Sequence, residues 1–282
     1  MSGKGEVIMN EYAVQASCVT KEIDGVTIIE DMNFNIAERA KFAILGHNGS
    51  GKSSLLKLIA GIYKPTSGEL QTFNKRIGYA PEHFPVNLRF KLGEFLLHVG
   101  MMGGQDRKTV EQTIAAYSKI FQLEPYMQTQ LKHCSKGTKQ KVGLIQAMLT
   151  DCDILLLDEP MSGLDEESKQ AFIQMMNKME RDLTLIFTAH EQETVDLLAD
   201  EVLVLENGRV VKQEALTERT KLKRITVKVP TNFNIEEAKM YGKVISTQDN
   251  IIELAVRSRE SDKCLFYLLK NNCSILEVKE TI

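Results

Sequence analysis

Residues 41–62 read KFAIL-GHNGSGKS-SLLKLIAGI, setting three glycines, a lysine and a hydroxyl between a strand-like and a helix-like run. Gly46, Gly51, Lys52 and Ser53 occupy the fixed positions of G-x-x-x-x-G-K-S. Glycines let a backbone curl so that successive N–H groups point inward at phosphate oxygens. The helix expected from about Ser53 adds its positive N-terminal end. The candidate cradle therefore comprises Gly46, His47, Asn48, Gly49, Ser50, Gly51, Lys52, Ser53 and Ser54. Lys52 is expected to reach the β- and γ-phosphates, and the Ser53 hydroxyl to ligate Mg²⁺. His47 stands at a variable position, so its backbone N–H counts and its ring is incidental.

A second motif, ILLLDEP (Ile154–Pro160), ends an apolar run in two acids. A buried strand there would deliver Asp158 to its C-terminal edge, where it would hold Mg²⁺. Glu159 comes next and is placed to polarise a water attacking the γ-phosphate.

The surrounding pattern is α/β. LLKLIAGI and TKQKVGLIQAML read as helices; KFAILG, DILLLDEP and LTLIFTAH read as fully buried strands. Apolar strands alternating with helices imply a parallel sheet covered on both faces. YAVQASCV and VTIIEDMNFNI look like antiparallel strands joined at Asp24-Gly25, and EVLVLENGRVV like a hairpin turning at Asn207-Gly208. From about Asn87 to His133 apolar residues recur at helical spacing, with Gly103-Gly104 between two helices. After the basic linker KLKR (Lys221–Arg224) the elements read strand, helix, strand, strand, helix, strand: a small βαββαβ unit. The expected organisation is an ATPase-like domain over 1–215, with a helical part at about 87–150, and an α+β accessory domain over 216–282.

Bulk properties bound the partners. The chain has 282 residues, 43% apolar and 26% charged, and a net charge of −3. Nothing in that balance suggests binding to nucleic acid. Apolar runs such as FLLHVGMM (Phe95–Met102) are far shorter than the roughly 18 residues a membrane span needs. The N-terminal MSGKGEVIMN lacks the apolar core of a secretion signal. Cys18, Cys134, Cys152, Cys264 and Cys273 form no CxxC pair or zinc spacing and read as reduced thiols.

Between the two phosphate motifs lies CSKGTKQKV (Cys134–Val142). It resembles the Leu-Ser-Gly-Gly-Gln signature of ATP-binding-cassette (ABC) ATPases. Ser135 and Gly137 match; Cys134, Lys136 and Thr138 replace Leu, Gly and Gln. Asp158-Glu159-Pro160, then SGLD (Ser162–Asp165), then His190 follow in the family's order, and the likeness covers about residues 12–212. It implies a P-loop ABC fold with an antiparallel β subdomain and a helical insertion. It also implies ATP and Mg²⁺ as cofactors. Ser135 and Gly137 would act across a dimer interface, SGLD would form the D-loop with Asp165 as a nucleotide-binding residue, and His190 would bond the γ-phosphate and the attacking water. Glu82 stands where the family has a metal-linked Gln, and Ile23 where it has an adenine-stacking aromatic. Since the chain holds one set of motifs, the resemblance implies pairing with a second copy or a homologue.

The form SKGxKQK and the small C-terminal domain resemble bacterial exporter ATPases of the bacitracin-resistance kind. That resemblance implies a peripheral motor on the cytoplasmic face of the membrane. It would drive a separate permease that exports peptides or toxic compounds. A soluble ABC ATPase acting on ribosomes or DNA is the alternative. The single cassette and the absence of a basic stripe argue against it. A ligand-sensing importer ATPase is a third reading; importer regulatory domains tend to be barrel-like, unlike βαββαβ.

Overall fold

A computed structural model describes residues 11–85, 87–178, 182–190, 192–216, 222–230, 233–257 and 261–280. The N-terminal stretch 1–10, Met179 and Glu180 at the end of an expected helix, and Lys221 of the basic linker lie outside them. The chain divides into two compact units, Met1–Glu191 with Asp200–Glu214, and Gln192–Ala199 with Ala215–Ile282.

The first unit opens with β1 (Tyr12–Ile23) and β2 (Val26–Ala37), antiparallel about the Asp24-Gly25 turn. β3 (Lys41–Leu45) runs into the glycine loop, and α1 (Lys52–Ile59) leaves it. β4 (Ser67–Gln71) pairs with β1, completing a three-stranded sheet in the order β2-β1-β4. The sequence pattern does not disclose this strand. SGELQ carries one apolar residue and is exposed almost throughout, so no alternation marks it.

β5 (Ile77–Ala80) precedes α2 (Leu92–Met102) and α3 (Arg107–Ile120), which part at Gly103-Gly104 as expected. These two helices approach closely at Gly100, where a Cβ would stand 2.4 Å from Val110 Cγ1. α4 (Lys136–Leu149), β6 (Ile154–Leu157), α5 (Glu166–Lys178) and β7 (Thr184–Ala189) restore β/α alternation. A short helix that the sequence reading left unassigned, α6 (Gln192–Leu198), groups with the second unit. β8 (Glu201–Glu206) and β9 (Arg209–Ala215) then meet at Asn207-Gly208.

The main sheet runs β5-β6-β7-β3-β8-β9, with β5, β6, β7, β3 and β8 parallel. Every residue of β6 and β7 is buried, as a sheet covered on both faces requires. Leu45 pairs with Ala189 and Leu157 with Phe187, so three strands end at one edge. The next residues along the chain are Gly46, Asp158 and His190. Sheet topology thereby gathers residues separated by more than a hundred positions.

The second unit contains β10 (Leu222–Lys228), α7 (Ile235–Ala238), β11 (Lys243–Gln248), β12 (Ile251–Arg257), α8 (Ser261–Lys270) and β13 (Ser274–Glu280). The strands form one antiparallel sheet, β11-β12-β10-β13, the order of a split βαβ pair. Its core joins Ile225, Val227, Ile252, Leu254 and Val256 to Cys264 and Leu268 of α8. Cys134, Cys264 and Cys273 are buried, Cys152 is half-buried and Cys18 exposed, all as free thiols.

Leu156 is fully buried in the core that binds the main sheet to the antiparallel sheet. Leu156→Ala is expected to cost about 2–5 kcal/mol, read as a lower denaturant midpoint for the first unit. An unchanged midpoint would refute this packing.

Candidate functional site

The glycine loop folds by backbone conformation. Gly49 and Gly51 adopt φ of 80° and 103°, in the left-handed region that side chains disfavour. Gly51 is the residue from which α1 departs. Lys52 curls back over the loop: its Nζ donates to the carbonyls of Gly46 (2.8 Å) and His47 (3.2 Å) and lies 3.9 Å from Glu159. Burial lowers the pKa of this ammonium, against the opposing pull of Glu159, Asp158 and Glu82. Ser50 is fully buried behind the loop, its hydroxyl without a partner. The His47 ring is turned to its own neighbour, with Nδ1 2.8 Å from the Asn48 carbonyl.

Asp158 and Glu159 follow β6 directly. Asp158 is 3% exposed, and burial pushes its carboxyl pKa up while hydrogen bonds from Thr188 and Ser53 draw it down. Thr188 Oγ1 donates to Asp158 Oδ1 at 2.8 Å and accepts from the Glu159 N–H at 2.7 Å. One hydroxyl of β7 thus fixes both acids. Glu159 has φ of 51°, an uncommon left-handed conformation for a residue with a side chain. Its Oε1 meets His190 Nε2 at 2.8 Å. Burial raises the Glu159 pKa too, opposed by His190 and by Lys52.

Lys52, Glu159 and His190 share one cleft of about 420 Å³ with Ile28, Asn48, Gly49, Gly51, Ser53, Ser54 and Glu82, and Asp158 is buried beside it. Ser53, Asp158 and Glu82 offer one hydroxyl and two carboxylates, and Ser53 already contacts Asp158. Among the described residues no cluster of three His, Cys, Asp or Glu forms a metal cage. That donor set fits Mg²⁺, which takes few protein oxygens and keeps phosphate and water ligands.

Other expected residues lie elsewhere. Ile23 ends β1, half-buried, and Ile28 rather than Ile23 lines the cleft. Ser135 caps α4, its Oγ accepting from Thr138 N at 3.1 Å. Gly137 packs under the SGLD turn, where a Cβ would be 2.7 Å from the Gly163 carbonyl. Asp165 accepts from Ser168 N (2.8 Å) and pairs with Lys141 (2.9 Å), contacts that hold its carboxyl well below the usual range. Gln140 Nε2 donates to the Glu159 carbonyl at 3.2 Å, tying the signature helix to the acid loop.

The sequence reading missed Thr188, Ile28 and Gln140. A signal for Thr188 existed: it is one of two threonines in an otherwise apolar buried strand, and it stands two residues before His190, so on the same side of the strand.

Known proteins place this geometry. The ABC transporter family matches residues 29–162. An uncharacterized ABC transporter ATP-binding protein of Methanocaldococcus jannaschii is 30% identical over 199 residues, covering 70% of this chain and 76% of its own. A methionine import ATP-binding protein of Paraburkholderia xenovorans is also 30% identical, over 65% of this chain and 52% of its own. In fold, 72% of the chain superposes on 98% of a dimeric ATP-binding cassette solved after hydrolysis with ADP and Pi, at TM-score 0.64 and 23% identity. The fold and cleft therefore define a P-loop ATPase of the cassette type. The chain belongs to the ABC transporter family and is an ATP-hydrolysing, ATP-binding subunit.

Thr188→Val keeps the shape of this side chain but strips the donor from Asp158 and the acceptor from the Glu159 N–H. Leaving buried polar groups unpaired costs about 1–3 kcal/mol. Steady-state hydrolysis should fall about tenfold or more; a wild-type rate would mean that Thr188 fixes neither acid.

Proposed function

We propose that this chain is the motor of a bacterial exporter of peptides or toxic compounds, acting as a dimer of ATPase subunits beneath a separate membrane permease. The first unit is the motor and the second an accessory domain. Two chains, identical or homologous, enclose two ATP molecules. Each contributes the cleft around Lys52 to one nucleotide and the capped start of α4, with Ser135 and Gly137, to the other.

The observation that carries this reading is an incomplete wall. The cleft gathers Lys52, Ser53, Glu82, Glu159 and His190, yet Ser135, Gly137 and Asp165 do not line it. A helix start that can bind phosphate but does not line its own chain's phosphate cleft fits a neighbour's nucleotide.

Within the cleft, the loop amides and Lys52 bind the β- and γ-phosphates. Ser53, Asp158 and Glu82 would hold Mg²⁺, which would supply charge neutralisation at the transferring phosphoryl group. Glu159 accepts the proton of the attacking water, with its carboxylate set by the Thr188 contact to its N–H. His190 reaches Glu159 from the end of β7, where it can also meet the γ-phosphate. Loss of that phosphate removes the bridge between chains and lets the pair open.

Among the described residues no helix is long and apolar enough to cross a membrane, which leaves the transport path to the permease. Direction does not follow from identity, since an importer ATPase stands among the relatives. Export is supported by the SKGTKQK form of the signature and by the open βαββαβ sheet of the second unit, where an importer sensor would tend to a barrel.

Glu159→Gln should retain ATP binding, form an ATP-dependent dimer in sedimentation velocity, and lose about a hundredfold or more in turnover. Turnover at the wild-type rate would exclude Glu159 as the base, and a strictly monomeric, fully active enzyme would exclude the pairing. For the permease, the chain is co-expressed with the neighbouring open reading frame. A co-purifying integral membrane protein that stimulates hydrolysis is expected. Sedimentation with ribosomes instead would reject the transporter assignment.

A further inference from the structure

We infer that the Asn207-Gly208 turn between β8 and β9 is a positioning element for the phosphate loop, with Gly208 as its contact point. The turn joins two strands, but its backbone also serves a second purpose. Gly208 N donates to the Ser50 carbonyl at 3.1 Å, from behind the loop. The Gly208 carbonyl accepts from Glu30 N at 2.8 Å, so one residue bridges the phosphate loop to β2. Arg209 adds a fork onto the Glu30 carboxylate, with Nε 3.1 Å from Oε2.

Three segments remote in sequence meet here almost without intervening side chains. A Cβ on Gly208 would lie 2.4 Å from the Ile28 carbonyl and 3.4 Å from Ile29 Cα. A Cβ on Gly51 would lie 3.1 Å from the same carbonyl and 3.7 Å from Gly208 Cα. A Cβ on Gly46 would lie 2.5 Å from the Leu205 carbonyl. Both ends of the loop and its middle are thus held against 28–30 and 205–209. Ile28, at the centre of this contact, lines the nucleotide cleft.

The physical consequence is preorganisation. A loop with glycines at 46, 49 and 51 has many conformations, and binding phosphate through its amides would freeze them. A backing that holds the loop in its curled form removes part of that cost from binding. Gly208 therefore acts on nucleotide affinity through the loop, without touching the nucleotide.

A simpler account is that Gly208 merely serves its hairpin, because φ there is +77° and a two-residue turn favours glycine. Gly104, between α2 and α3, separates the two accounts. Its φ is +81°, but a Cβ there would meet nothing within 4 Å. Gly104→Ala imposes the conformational strain alone; Gly208→Ala imposes the strain and displaces the Ile28–Gly208–Ser50 contact.

The test measures ATP affinity by titration calorimetry and amide hydrogen exchange over residues 46–53, in the full chain. Gly208→Ala is expected to weaken ATP binding about tenfold and to speed exchange in the loop. Gly104→Ala should stay within about twofold of wild type on both readouts. Wild-type affinity and exchange in Gly208→Ala, or an equal loss in Gly104→Ala, would overturn the inference. Should Gly208→Ala not fold, Arg209→Gln decides. Releasing the turn from Glu30 is expected to weaken ATP binding about threefold with faster loop exchange, and an unaltered variant rejects the positioning role.

Discussion

Two carboxylates, Glu82 and Glu159, share the phosphate cleft with one ammonium, Lys52, and a third, Asp158, is buried close enough to act on that ammonium; this imbalance of charge is the constraint on which the site depends. Asp158, Glu159 and Glu82 face Lys52, so the carboxylates outnumber the cation beside them. Burial acts on Asp158 and Glu159 in the same direction, raising both pKa values. A protein tolerates such a cluster when fixed dipoles hold it and a ligand completes it. Here the fixed dipoles are the Thr188 and Ser53 hydroxyls, both on Asp158. On the proposed reading, a magnesium-bound nucleotide would bring the rest: a cation for the carboxylates and phosphate charge for Lys52. The cleft is built for a charge that arrives with the substrate.

The same constraint explains which residues the sequence disclosed. Gly46, Asp158 and His190 each follow a short, continuous apolar run. Such runs become the buried parallel strands β3, β6 and β7, whose ends must meet at one edge. Strand chemistry and topology therefore announce these positions before any coordinate is known. Thr188 was harder to see because its part depends on strand register: it lies level with the first residue beyond β6, a relation between distant segments. Gln140 and Ile28 were hidden for a similar reason, since one reaches a backbone carbonyl from a helix and the other enters the cleft from the edge of a separate sheet. β4 escaped because its pairing with β1 is made by backbone groups under exposed side chains. The βαββαβ order of the second unit was legible from alternation alone, because its sheet buries only one face.

Glycine illustrates the limit more sharply. Gly46 and Gly51 are recognisable from the motif because their spacing is fixed by phosphate geometry. Gly208 sits in an Asn-Gly pair, which any hairpin would favour, and nothing local distinguishes it from the Asp-Gly pair at 24–25. Only the folded chain shows that an added Cβ at 208 strikes the Ile28 backbone, whereas one at 25 meets open space. Sequence pattern specifies a turn; packing decides whether the turn carries anything else.

The start of α4 completes the electrostatic picture of the paired assembly proposed above. Its first turn has no acidic residue, and Lys136 is its first residue, with Lys139 and Lys141 close behind. Positive charge at the positive end of a helix costs a few tenths to about 1 kcal/mol. Lys141 is offset by Asp165 of the same chain. In the family signature the position of Lys136 is glycine, so this chain adds a cation where the pattern requires none. An anion delivered from outside the chain turns that cost into attraction. In the proposed pair, a phosphate held in a neighbouring subunit's cleft would supply it. The excess negative charge of one half-site and the excess positive charge of the other would then be complementary features of the proposed interface.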